Sequence, residues 1–235
     1  MGLPATVGGK VTAADINNIA NLPVANFAAL PASGNWLGRQ IATSDSGLTY
    51  RWTGSVWSAS TGSQIVPSAA TNGSVSGSGV VTSSAQTFVR VLDAFPSGFT
   101  VFRVVYDVTL SAAVGLLFRL AVDASDSSTG YDYQRTSEVN VTVVTTQDLN
   151  QSSGSLSPIG LATRHVGQVL LFGPNVASET LYDASSLATP NPMTTSAGRT
   201  DVGGQHRPLT AYNSLRVFGS SGTITINRLS VAGVA

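Results

Sequence analysis

From Val80 onward the chain alternates apolar and polar side chains with a period of two. Phe102, Val104, Tyr106, Val108 and Leu110 fall on one side of an extended segment, with Arg103, Asp107 and Thr109 on the other. Leu116, Phe118, Leu120 and Val122 repeat the pattern, with Arg119 and Asp123 opposite. Val139, Val141 and Val143 alternate with Asn140 and Thr142 as a further strand. Val166 to Phe172 is a more continuous apolar run. Leu215, Val217, Ile224, Ile226, Leu229 and Val231 supply two last strands around a turn at Ser220-Ser221-Gly222. Side chains of a strand point alternately to opposite faces, so this spacing predicts half-buried strands and excludes amphipathic helices. About eight strands separated by turn residues predict an antiparallel β-sandwich, jelly-roll-like, over residues 80–235.

Composition supports the same choice. Charged residues make up 10% of the chain, against about 25% in ordinary globular domains. Lys10 is the only lysine, and Glu138 and Glu179 are the only glutamates. Long solvent-facing helices are built from Glu, Lys and Gln, so this chain cannot build many. Net charge is zero and no basic run occurs; neither nucleic acid nor acidic lipid is an expected partner. So uncharged a surface predicts burial against sister subunits or a larger assembly, and a homo-oligomer is expected. With no cysteine, disulfides and thiolate metal sites are excluded. Met1-Gly2-Leu3-Pro4 lacks the basic start of a signal peptide. No apolar run approaches the roughly 18 residues of a membrane helix, so no membrane insertion is expected.

Residues 1–60 read differently. Val11 to Ala20 is the one convincing helix: Thr12 can cap it, Asp15 can reach back to the first-turn amides, and Ile16 and Ile19 share a face. Asn21-Leu22-Pro23 stops it. So short a helix cannot stand alone in water, so its Ile16/Ile19 face must dock on something. Gly38 to Ala42 and Leu48 to Trp52 read as short strands, and Ser55 to Trp57 as a return strand after a turn at Thr53-Gly54. Tyr50, Trp52 and Trp57 then cluster across the hairpin, either as a stacking platform for a ligand or as the core of a small unit. Ser/Gly-rich residues 61–79 read as a linker or an extended strap. The expected organisation is a 1–60 attachment segment, a 61–79 linker and an 80–235 sandwich.

Candidate chemistry is sparse. His165 opens an apolar strand and His206 sits in a loop; no nucleophile elbow and no His-x-His pair accompanies them. Neither a cofactor nor a metal is expected. Asp123 to Gly130 places oxygens at alternate positions, as a calcium loop does, but lacks the closing glutamate. Tyr131, Asp132, Tyr133 and Arg135 form the strongest recognition candidate, as a host-surface contact able to stack on a sugar and bond its hydroxyls, or as a subunit contact. Tyr212 and Arg207 are candidates for the same surface.

Gly9-Lys10-Val11-Thr12-Ala13-Ala14-Asp15-Ile16-Asn17-Asn18 resembles the attachment segment that opens many tailed-bacteriophage virion proteins, chiefly minor tail proteins and fibres. Tyr50-Arg51-Trp52-Thr53-Gly54-Ser55-Val56-Trp57 is similar to the hairpin that follows that segment in such proteins. Leu215 to Ile226 looks like the final hairpin of phage receptor-binding and fibre domains, with Asn227-Arg228-Leu229 in place of a glycine-tyrosine close. The resemblance implies a non-enzymatic virion component, commonly trimeric, made in the host cytoplasm. Its residues 1–60 would sit on other virion proteins and its β domain would face outward. A tail fibre or receptor-binding protein that meets a host-surface glycan is the leading expectation. A capsid head fibre or decoration protein shares the same plan, and an enzyme degrading envelope polysaccharide is the third possibility.

Overall fold

The computed structural model describes residues 29–32, 40–42, 49–52, 57–59, 64–139, 142–158, 164–189 and 198–234. The chain divides into two compact units, Met1–Ser60 and Thr61–Ala235. The described part is mainly β and its sheets are antiparallel.

In the first unit, β1 (Gln40–Ala42), β2 (Thr49–Trp52) and β3 (Trp57–Ala59) form a three-stranded sheet in that order. Ile41 pairs with Tyr50, and both are buried. Trp52 pairs with Trp57 across the second hairpin, while Ser55 and Val56 of the expected return strand lie outside the described residues. The expected Val11–Ala20 helix, with Thr12, Asp15, Ile16 and Ile19, lies outside the described residues, as does the side chain of Trp57.

The second unit carries β4 (Gln64–Ile65), β5 (Ala69–Thr71), β6 (Ser74–Val75), β7 (Val81–Thr82), β8 (Phe88–Leu92), β9 (Val101–Leu110), β10 (Leu116–Val122), β11 (Ser125–Asp126), β12 (Tyr131–Val139), β13 (Thr142–Gln151), β14 (Gly154–Ser157), β15 (Arg164–Phe172), β16 (Thr180–Thr189), β17 (Gly198–His206), β18 (Ser214–Gly219) and β19 (Ile224–Val234). A six-stranded sheet runs β11-β10-β18-β8-β5, with β14 also paired to β10. A ten-stranded sheet runs β13-β12-β17-β16-β15-β9-β19-β7-β6, with β4 paired to β19. The chain passes repeatedly from one sheet to the other.

The inner faces of the two sheets share one core. Phe102, Val104, Tyr106, Val108 and Leu110 of β9 are all buried, as their spacing predicts. Phe118 of the smaller sheet meets Tyr131 and Tyr182 of the larger edge-on, with ring centroids 5.9 and 5.1 Å apart. Tyr106 donates to the Leu156 carbonyl at 3.1 Å, tying β9 to β14. Burying each such side chain contributes roughly 1.5–3 kcal/mol. Gly154 and Gly233 have no side chains because rings take that space: Phe118 covers the first and Phe99 the second.

Three expectations change. Residues 64–79 do not serve merely as a linker: Ile65 is fully buried and pairs with Val231, Ala70 pairs with Val91, and Val75 pairs with Val81. Backbone hydrogen bonds secure these short strands, and such bonds need no side-chain pattern that a Ser/Gly-rich stretch would reveal. The run Val139 to Val143 is divided between two strands, whose ends Val139 and Thr142 pair. Val122 is exposed at the end of β10, so the apolar face of that strand stops at Leu120.

Candidate recognition surface

Period-two geometry splits the quartet that the sequence groups together. Tyr131, Tyr133 and Arg135 of β12 lie opposite His206, Gly204 and Val202 of β17, on the inner side of the sheet. Asp132 and Gln134 lie opposite Gln205 and Gly203, on the outer side. Tyr131 is 0% exposed, so it is not a surface contact. Its hydroxyl accepts from the Leu120 amide at 2.8 Å and donates to the Ser127 carbonyl at 3.3 Å. Its ring lies 4.2 Å from His206. Tyr133 is half-buried beside the Arg135–Asp148 ion pair, 3.3 Å apart. Burial, with the Asp148 charge adding to it, raises the Tyr133 hydroxyl above its ordinary value.

Asp132 is the member of the quartet that reaches the outer surface. It accepts from the Asn150 amide at 2.6 Å and from Gln205 Nε2 at 3.3 Å, and pairs with Arg207 Nε at 2.9 Å. Arg207 also donates to Asn150 Oδ1 at 3.1 Å. The Asn150 amide above all, with Gln205 and Arg207, holds the Asp132 carboxyl below its usual range. The β12–β13 register slips between Tyr131 and Tyr133, and Asn150 takes a φ of 52°, aiming its amide at Asp132. Arg207 therefore joins this surface, as the sequence reading allowed. Tyr212 does not: it is buried, 5.2 Å from His206.

Asp132, Gln134, Gln147, Gln205, Leu149 and Leu181 line a shallow depression of about 280 Å³. Its floor is bare because Gly203 stands between Gln134 and Asp183 in register. Leu149 and Leu181 are 60% and 51% exposed at its sides. Amides and a carboxylate flanked by exposed leucine side chains can bond hydroxyls while covering C–H surface. A second depression of about 410 Å³ lies on the same outer face, against Val105, Val166, Gln168, Ser185, Leu187 and Arg199. Sequence reasoning missed Gln147, Leu149, Leu181 and Gln205. Alternation along β12 places Gln134 beside Asp132, but nothing local brings β13, β16 and β17 alongside.

The remaining candidates serve the fold. His165 and His206 are both buried on the inner face. His206 Nε2 lies 2.9 Å from Ser127 Oγ, and burial pushes its pKa down to about 4, with the Thr129 backbone opposing. Three side chains of the 123–130 loop are engaged within the fold: Asp123 accepts from Asn213, Asp126 is paired to Arg90 and Arg216, and Ser127 meets His206. Among the described residues, no three His, Asp or Glu side chains gather as a metal-binding group, and no helix is long and apolar enough to cross a membrane. No family model, no curated protein and no solved structure matches this chain.

Proposed function

We propose that this chain is a non-enzymatic structural protein of a tailed-phage virion, a tail fibre or receptor-binding protein that attaches through residues 1–60 and presents residues 61–235 to the host surface. We read the second unit as a β-sandwich of jelly-roll type, a reading supported by the repeated passage of the chain between its two sheets. The observation that carries the functional reading is the outer face of the ten-stranded sheet. Its depression is shallow, amide- and carboxylate-lined and floored by glycine, a form that suits reversible recognition of a hydroxyl-rich surface glycan. The likeness of Gly9–Asn18 and Tyr50–Trp57 to phage attachment segments supports the virion assignment. A homo-oligomer, most simply a trimer, fits the sparsely charged sequence.

Immunogold electron microscopy of virions with an antibody against residues 61–235 tests this reading. Label at the tail tip is the expected result, and purified protein should then block adsorption less well after Gln134→Ala and Gln205→Ala. Label spread over the head would instead make the chain a capsid decoration protein. Virions without label would end both assignments.

A further inference from the structure

The outer face of the six-stranded sheet holds three arginines in one row. Arg119 of β10 stands opposite Arg216 of β18, which stands opposite Arg90 of β8. The neighbouring row is apolar: Leu117, Phe218 and Phe88, in the same register. The Arg216 guanidinium lies 4.1 Å from the Phe88 ring centre and 5.1 Å from that of Phe218. Arg119 lies 5.1 Å over Phe218, and Arg90 lies 5.5 Å over Phe88. Stacking on the rings holds the flat guanidinium groups in place.

Asp126 alone among the described residues answers these charges. It pairs with Arg90 Nη2 at 2.7 Å and with Arg216 Nη1. Arg119 donates its Nε to the Ser152 carbonyl at 2.8 Å. Three guanidinium groups less one carboxylate leave two positive charges, in a chain of zero net charge. Like charges opposite one another on adjacent strands destabilise a sheet, and guanidinium groups do not shed their protons to relieve this. Hydrogen-bonding capacity is in surplus too. The Nε donors of Arg90 and Arg216 are buried with no acceptor. Among the described residues, Arg90 Nη1, both terminal nitrogens of Arg119 and Arg216 Nη2 also lack one, yet none of these is buried. A ligand can therefore meet them from solvent.

We propose that this row is a binding site for a phosphate group. Two uncompensated charges match a phosphate dianion, and fixed guanidinium forks match its oxygens. The site lies on the sheet opposite the glycan-facing depression and does not depend on where the protein is mounted. The phosphate is either a free ion or one esterified to a sugar.

Arginine Nε–Hε resonances of the full chain, followed by NMR at constant ionic strength, give the test. Inorganic phosphate should move the signals of Arg90, Arg119 and Arg216 together, saturating with a Kd of about 1–10 mM, while the other arginines stay still. Arg119→Gln should weaken binding about tenfold, and Arg119→Lys, which keeps the charge without the fork, should fall between. Tighter binding of glucose 1-phosphate would identify a sugar-borne phosphate, and equal binding a free ion. Equal small shifts at every arginine, a response that never saturates, or unchanged affinity in Arg119→Gln would each overturn the proposal. The wild-type titration decides the matter even if a variant folds poorly.

Discussion

Phe118 lies over the bare backbone of Gly154, so the ring and the missing side chain act as one feature. A methyl group there must push the ring out of a close-packed core. Gly154→Ala should lower stability by roughly 1–3 kcal/mol in urea unfolding. Phe118→Leu in the same chain should recover part of that loss, because the two positions are coupled. His206 gives a second prediction. The unfolded chain takes up a proton near pH 6.5, whereas folded His206 stays neutral down to about pH 4. Stability should therefore fall as pH drops across that window, by about 3 kcal/mol in all. His206→Gln should flatten the profile there. Asp107 and Asp126, whose folded pKa values are lowered, lose their contributions only below about pH 4, so the two effects separate. Asp132 shows what single residues conceal: it looks like a partner of Tyr131 and Tyr133, but strand alternation turns it to the opposite side.

At the scale of elements, the strands most legible in the sequence are those with one wet and one buried side. Phe102 to Leu110 could be assigned residue by residue for that reason. Val143 and Val144 could not, because both are exposed, at 61% and 53%, and no burial sets a period. They lie on β13, an end strand of the ten-stranded sheet, which carries no lysine or proline to discourage pairing. Light scattering should show concentration-dependent association of the wild type that Val144→Lys reduces. Residues 64–75 were illegible for another reason: they are held by partners far along the chain. A fragment of residues 61–235 should melt cooperatively, whereas 80–235 should be far less stable. Removing β4 uncovers the position of Ile65, a loss of about 2–5 kcal/mol on its own. Equal melting of the two fragments would show that β4 to β6 contribute nothing.

Across the whole second unit, the two sheets divide the labour. Their inner faces close one core, while their outer faces carry unlike chemistry: amides around a glycine floor on one, stacked arginines on the other. Neither surface can be seen in the linear sequence, since each gathers residues from three or more strands. The placement of β19 has a further result. It lies between β9 and β7 and also receives β4, so Gln64 bonds to the carbonyl of Val231, 167 positions away. At about 5–20 residues per second of synthesis, roughly 10–30 s separate the appearance of these two partners. Through that interval Ile65, and one edge of β9 from the moment that strand is made, wait for the strand that pairs with them. The period of greatest exposure to mispairing is therefore set by the ribosome, and slower translation lengthens it.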